Sequence, residues 1–422
     1  MSTNLSEKLK SLGVKVGVRD LPPRRSRNAH SIEQVVPGCL IDTPDGTTLV
    51  VESHYDLDYR HGHAKLAFSR PLQIIAEWAR EPSLAQCPRD EFVFLDIETT
   101  GLMGGTGTYA FLVGVGRLGN DGFRLTQVFM RDPSEEPAAL AALARLVQPA
   151  GAMVTFNGKS FDIPVLNARY VMNGELTPFA SVPHLDLLHL ARRLWRDRLN
   201  DRALTSLESH ILGAVRTEED IPGWLVPQIY FDYLRDGDAR PLKRVFYHNA
   251  MDVVAMAALL NHIALMLDEP LTFAVEHGLD LLAVAKLYED LERSDDAVKL
   301  YRRGLECDLS EEAFRKAVQR LALMHRRRGE KLDAVELWRA AARTGQLYAY
   351  VELAKYYEHQ ARDCAQAANW TREALYNLDK RKAPPDLYRK WQGALAHRLE
   401  RLEKKLNKQT SPRKRRNGDG PE

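Results

Sequence analysis

The 422-residue chain has only four cysteines, Cys39, Cys87, Cys307 and Cys364, too far apart for a CxxC pair or a Cys/His zinc spacing. They are read as reduced and structural. No stretch approaches the roughly 18 uninterrupted apolar residues of a membrane span, so no membrane segment is expected. The N-terminus, MSTNLSEKLKSLGVKV, has no apolar run followed by a small-residue cleavage site, so no secretory signal is visible and a cytoplasmic location is expected. Charge of one sign is also scarce: the formal net charge of +2 does not by itself imply a polyanion partner. Core material is ample, with 45% hydrophobic and 27% charged residues. The length exceeds what one hydrophobic core usually serves, so two or three domains are expected.

What charge there is clusters. Basic residues gather at Arg24, Arg25 and Arg27, along Arg192 to Arg202, and from Lys404 to Arg416. Residues 1–30 are polar, basic and broken by Pro22-Pro23, which predicts a mobile arm. From Cys39 the pattern CLIDTPDGTTLVVESHYDLDYRHGH alternates around a Pro-Asp-Gly turn and predicts the hairpin of a small β unit. An amphipathic helix follows around Pro71 to Arg80. An apolar strand in EFVFLDIETTGL then opens an α/β region, with glycine-rich strands through Gly116, the strand FRLTQVFM, a helix across Ala138 to Val147, the strand AMVTF, and a helix from about Asp162 to Asn173. Strands first and alternating units afterwards predict a mixed sheet flanked by helices.

Beyond Glu269 the pattern is helix after helix. DDAVKLYRRGLE, LDAVELWRAAAR and CAQAANWTREAL align on Ala297, Ala334 and Ala367, with spacings of 37 and 33 close to the period of tetratricopeptide-type helix pairs. The tail after residue 405 is disordered by composition.

Asp96 and Glu98 stand two apart at the end of an apolar run, and the period of a strand puts both carboxylates on one face. A lone DxE is weak. The order strengthens it: Asp162 follows in FNGKSFDIPVL, and Asp252 lies in the amphipathic stretch YHNAMDVVAMAALLNHI, four residues after His248 and on the same helix face. Four gathered carboxylates repel one another unless cations bind, and their all-oxygen character selects Mg²⁺ or Mn²⁺ over zinc. Two such ions are the known device for in-line phosphodiester cleavage. Asp96 would then bridge both ions, Glu98 and Asp252 would bind one side, Asp162 would complete the shell, and His248 would orient or deprotonate the water.

The order DIETTGL, NGKSFDIPVL, HNAMD resembles the three exonuclease motifs of the DEDD ribonuclease H-like superfamily. HLDLLHLARRLW, LTSLESHILGAVR, DIPG and HNxxDV further resemble the YprB-like ribonuclease H-like proteins of bacteria, some of which carry C-terminal tetratricopeptide-like repeats. This resemblance covers roughly residues 90–265. It implies an α/β ribonuclease H-like domain plus an all-α helical-repeat domain, and metal-dependent 3′-to-5′ exonuclease activity on single-stranded DNA or RNA ends. The organisation expected is a basic arm over 1–30, a β-containing region over 31–88, the ribonuclease H-like domain over 89–265, repeats over 270–405 that offer a surface to a protein partner, and a basic tail over 406–422. In histidine-type members the histidine stands five residues before the last aspartate, and in tyrosine-type members the tyrosine stands four before it. His248 has the tyrosine spacing, so Tyr247 competes with it as the water-orienting residue; the i, i+4 register favours His248. The alternative is a nucleic-acid-binding scaffold with a non-catalytic domain and protein-binding repeats, which has no need of four mutually repelling carboxylates.

Other signals are weaker. GVGRLG matches GxGxxG but is followed by a turn and a strand, with no helix N-terminus for a pyrophosphate, so a hairpin is expected. Gly158-Lys159-Ser160 mimics the end of a Walker A loop, but Met153 stands where its first glycine should be. Lys159 and Ser160 either touch a phosphate or form a plain loop. The glycines of GLMGGTGTYAF permit close approach of a strand of nucleic acid or simply serve turns. Asp186 reads as a helix cap or as a carboxylate that supports the site from outside the ligand set, with the cap favoured. Arg192, Arg193 and Arg196 with Trp195 suit phosphate contacts and stacking, or a solvated helix face over a core tryptophan. His61 and His63 are expected in a turn without ligands.

Overall fold

FVFL is the sort of β-branched and aromatic run that packs on both faces, and it forms the first half of β5 (Phe92–Thr99), a strand buried along most of its length. The computed structural model describes residues 30–101, 107–148, 150–272, 277–380 and 385–410. The chain divides into two units, Met1–Phe273 and Ala274–Glu422. The basic arm, most of the glycine loop after Glu98 and the end of the tail lie outside the described residues.

The first unit is built on a seven-stranded mixed sheet. With β1 at Gly38–Thr43, β2 at Gly46–Asp56, β6 at Ala110–Leu118, β7 at Gly122–Phe129, β8 at Ala152–Thr155 and β9 at His184–Asp186, its order is β1-β2-β7-β6-β5-β8-β9. Pairing is antiparallel from β1 through β5, then parallel from β5 to β8 and on to β9. A two-stranded piece, β3 (Arg60–His61) and β4 (Ala64–Lys65), stands beside it. The first hairpin, expected in a small β unit of its own, instead extends the main sheet. β2 pairs with β1 along one edge and, from Leu49 to Asp56, with β7 from Phe129 back to Gly122 along the other.

One face of β5 carries Val93, Leu95 and Ile97, packed with Leu140 and Leu143 of the helix Glu136–Val147 and Val165 and Leu166 of the helix Asp162–Met172. Each such buried side chain contributes roughly 2 kcal/mol of hydrophobic stabilisation. The alternate positions include Asp96 and Glu98, and that side meets the 27-residue helix Leu242–Asp268. An 18-residue window of this long helix is apolar enough to cross a bilayer, yet 83% of that window is buried in the protein, as in the core helix of a globular domain.

The glycines of GVGRLG explain how the helix gets so close. A Cβ on Gly114 would lie 2.4 Å from Asn249 Oδ1, and one on Gly116 2.7 Å from Val253 Cγ1. The motif belongs to the hairpin joining β6 to β7, where Gly122 has φ +149° and a Cβ would meet the Tyr55 carbonyl oxygen at 2.1 Å.

The second unit is helical throughout its described residues, from Gly278–Asp290 to Pro385–Thr410. Ala297, Ala334 and Ala367 each stand at the fourth position of a helix, in Ser294–Leu305, Lys331–Arg343 and Cys364–Lys380, and all three are fully buried. The small residue recurs because a neighbouring helix packs closely there.

Candidate active site

The C-terminal half of β5 holds Asp96 and Glu98 where the ladder to β6 shifts register, between Glu98 and Thr99. Asp96 lies opposite Gly114, and the vacant side-chain space there is filled by Asn249 of the long helix. Asn249 Nδ2 donates to Asp96 Oδ2 at 2.8 Å, while its Oδ1 accepts from Gln127 Nε2 at 2.9 Å. The same Gln127 nitrogen donates to the Phe246 carbonyl. Asp96 is thus held through a chain of amides from β7 to the helix.

Asp162 opens its helix, and its Oδ1 accepts the Ile97 amide at 3.2 Å, between the two β5 carboxylates in sequence. The loop before it is fixed by Asp186, whose carboxylate accepts from the amides of Asn157 (2.8 Å) and Lys159 (3.1 Å) and caps the next helix at Leu188 (3.0 Å). The cap reading of Asp186 therefore captured one of its three bonds. Lys159 and Ser160 are exposed on that loop. Asp252 and His248 come from adjacent turns of the long helix, and ligand atoms of Glu98, His248 and Asp252 all lie within 4.8 Å of one another.

Crowding and burial dominate the electrostatics. Desolvation first, then the charges of Asp252, Glu98 and Asp162, hold Asp96 well above the ordinary carboxylate range, against the pull of the Asn249 bond. Desolvation, followed by Asp252 and Asp162, does the same to Glu98, with Arg216 pulling the other way. Asp162 is pushed up to about 7, chiefly by burial, although its own amide and that of Ile97 oppose the rise. Buried carboxylates crowded in this way are stabilised by a nearby cation, and an oxygen-rich donor set of this kind fits a hard divalent ion. Asp96, Glu98, Asp162 and Asp252 could hold it.

Three residues at this site carry roles that sequence reading did not assign. Arg216, on the loop before Ile221, donates from Nη2 to Asp252 Oδ1 and to Glu208 Oε2, the latter at 2.5 Å. Glu208 is buried and also accepts at 2.7 Å from His61 Nε2, so His61 is a buried partner in an ion-pair chain and not a turn residue without ligands. Asp220 Oδ1 lies 2.7 Å from His248 Nδ1. An ionised carboxylate only accepts, so Nδ1 carries a proton, and in the neutral form of the ring Nε2, 3.7 Å from Asp252 Oδ2, is the acceptor. The 3.4 Å approach of Arg216 Nη1 to that Nδ1 is then packing. Glu208, Arg216 and Asp220 all fall in LTSLESHILGAVR or DIPG, which carried the resemblance but follow no periodic pattern that points a side chain at the site.

Tyr247 faces elsewhere: its hydroxyl accepts the Thr217 amide at 3.1 Å. Trp195 is fully buried, so it is core and unavailable for stacking on a base. His63 meets the ring of His262 at 3.1 Å.

A family model described as the RNase_H superfamily matches residues 93–264, the span that contains all of these carboxylates. The uncharacterized protein YprB of Bacillus subtilis (strain 168) is 30% identical over 341 residues, covering 78% of this chain and 81% of that protein. Among solved structures, a family B DNA polymerase from the hyperthermophilic archaeon Pyrobaculum calidifontis aligns with a TM-score of 0.32 and 16% identity, over 50% of this chain and 28% of the polymerase; a likeness at that level carries no weight for function. With four-fifths of YprB matched at this identity and the superfamily model lying across the carboxylate-bearing sheet, the chain belongs to the YprB family of RNase H-like superfamily proteins.

Proposed function

We propose that the chain is a DEDD-type 3′-to-5′ exonuclease that hydrolyses phosphodiester bonds at single-stranded DNA or RNA ends with two divalent ions, Mg²⁺ or Mn²⁺. The observation that supports it most is the meeting of Asp96, Glu98, Asp162 and Asp252, from two strand positions and two helices, at a point where burial and mutual repulsion raise the proton affinity of Asp96, Glu98 and Asp162. Ions bound there would supply charge neutralisation and stabilise the attacking and leaving oxygens of an in-line displacement. Asp96 would help to hold them, with Glu98 and Asp252 on one side and Asp162, tied to the Ile97 amide, on the other.

His248 is the residue we assign to the water. Asp220 holds its Nδ1 proton, which leaves Nε2 to accept a proton from the attacking water as the bond from phosphorus to the 3′ oxygen breaks. The 3′-to-5′ direction and the single-stranded substrate rest on the resemblance of DIETTGL, NGKSFDIPVL and HNAMD to the exonuclease motifs. We further read the helix pairs around Ala297, Ala334 and Ala367 as tetratricopeptide-like and as the place for a protein partner. The basic arm and tail would add salt-sensitive, sequence-independent affinity.

The contact of Arg216 with Asp252 favours a second reading, a nucleic-acid-binding scaffold, because it neutralises one carboxylate without a metal. The two separate in one experiment: 3′-labelled and 5′-labelled single-stranded DNA and RNA are incubated with the protein in Mg²⁺, Mn²⁺ or EDTA, alongside Asp96→Asn. Metal-dependent shortening from the 3′ end, lost in the variant, is the expected result. Binding without cleavage under every metal would replace the nuclease by the scaffold.

A further inference from the structure

Arg216 has no part in the chemistry above, yet its side chain is only 7% exposed and meets four acidic or imidazole groups. Burying a guanidinium is costly unless its donors are matched, and here they are. Glu208, 1% exposed, accepts from Nε at 2.9 Å and Nη2 at 2.5 Å, and its other oxygen is held by His61. Asp220 Oδ2 lies 3.6 Å from Nη1, and Asp252 Oδ1 takes the second bond of Nη2. The bonds from Glu208, itself held by His61, fix where the guanidinium points, and the same guanidinium reaches Asp252 and Asp220.

We propose that Arg216 is a positioning residue that acts as a fixed cation on the Asp252 side, so that the divalent ion held by Glu98 and Asp252 binds more weakly than the ion on the Asp162 side. The inference rests on the metal-site reading above. Without an ion, Arg216 holds Asp252 through Nη2 and lies beside the Asp220–His248 pair, so its charge offsets part of the carboxylate repulsion. With an ion, the same guanidinium repels the incoming charge and competes for Asp252 Oδ1. Among the described residues, Asp162 accepts the Ile97 amide and forms no ion pair with a basic side chain. Loading is therefore ordered, with the Asp252 side filled last.

The test is titration of the metal-stripped full-length chain with Mn²⁺ by calorimetry, with thermal melts in EDTA to verify folding. Replacing Arg216 alone would strand the buried Glu208 charge, so the main variant is Glu208→Gln with Arg216→Gln, which leaves His61 a neutral partner. Two classes of Mn²⁺ are expected in the wild type, and the weaker class should tighten about tenfold or more in the double variant, the scale set by a unit charge a few ångströms from a divalent ion. Arg216→Lys keeps the charge but cannot span Glu208 and Asp252, and should tighten the same class by a smaller factor. A weaker class that is unchanged or loosened in either folded variant overturns the inference and leaves the metal reading intact. A wild-type chain that binds no Mn²⁺ defeats the metal reading itself.

Discussion

Replacing Asp162 by asparagine should remove a pH dependence from the stability of the metal-free protein. In the fold its carboxyl is pushed from 3.8 up to about 7, mainly by burial, and it is only 6% exposed, so solvent does little to screen the effect. A carboxyl whose pKa is raised by folding binds its proton more tightly folded than unfolded, so stability falls as pH rises from about 4 to about 7 and levels off above that. A rise from 3.8 to about 7 corresponds to roughly 4 kcal/mol, of which on the order of 3 kcal/mol is lost between pH 5 and pH 8. In a domain of this size that amounts to a fall of about 10 °C in Tm. Thermal melts in EDTA across that interval should show it in the wild type. In Asp162→Asn the slope should shrink by about that amount, leaving a residual decline from Asp96 and Glu98, whose carboxyls are also raised. Saturating Mg²⁺ at pH 8 should restore the wild type, since a bound cation reverses the local preference for protons. A variant that keeps the full wild-type slope would refute the assignment of Asp162 to the crowded cluster.

Two further substitutions probe neighbouring parts of the site. His248→Gln should lower kcat by about 10²-fold or more at saturating metal, the usual contribution of a positioned base, while Tyr247→Phe should change it little because that hydroxyl is engaged with the Thr217 amide; the reverse ranking in rate assays would make Tyr247 the water-orienting residue. Gly114→Ala should cost about 1–3 kcal/mol by overpacking, since its Cβ would come within 2.4 Å of Asn249 Oδ1 and 2.9 Å of Val253 Cγ2. Denaturant melts measure that cost, and a neutral result would mean that the long helix can shift away from β6.

The parts legible in the sequence are those that periodicity controls. A strand repeat of two put Asp96 and Glu98 on one face, and a helix repeat of 3.6 put His248 over Asp252; both relations hold in the structure. The mixed sheet, its flanking helices and the helical second unit followed from the same patterns. Pairing partners did not, because alternation shows which face of a strand is buried but not which strand lies beside it. The hairpin of β1 and β2 was therefore set apart, although β2 pairs with β7. Asn249 is a related case: its helical position was plain, but its bond to Asp96 depends on Gly114 leaving space on a strand more than a hundred residues away.

Charge was the least legible property, for a reason the site makes concrete. Six acids, Asp96, Glu98, Asp162, Glu208, Asp220 and Asp252, meet one arginine, Arg216, among the groups described at the site. The whole chain carries +2, so this local excess of negative charge is balanced by cations elsewhere and vanishes from any sum over the sequence. It comes from four separated stretches, 96–98, 162, 208–220 and 252, and only folding converts it into a field. That field explains both halves of the proposal. In the proposed function divalent ions would answer it, and without them it is met by a guanidinium buried against Asp252, with Glu208 bonded to that guanidinium and to His61.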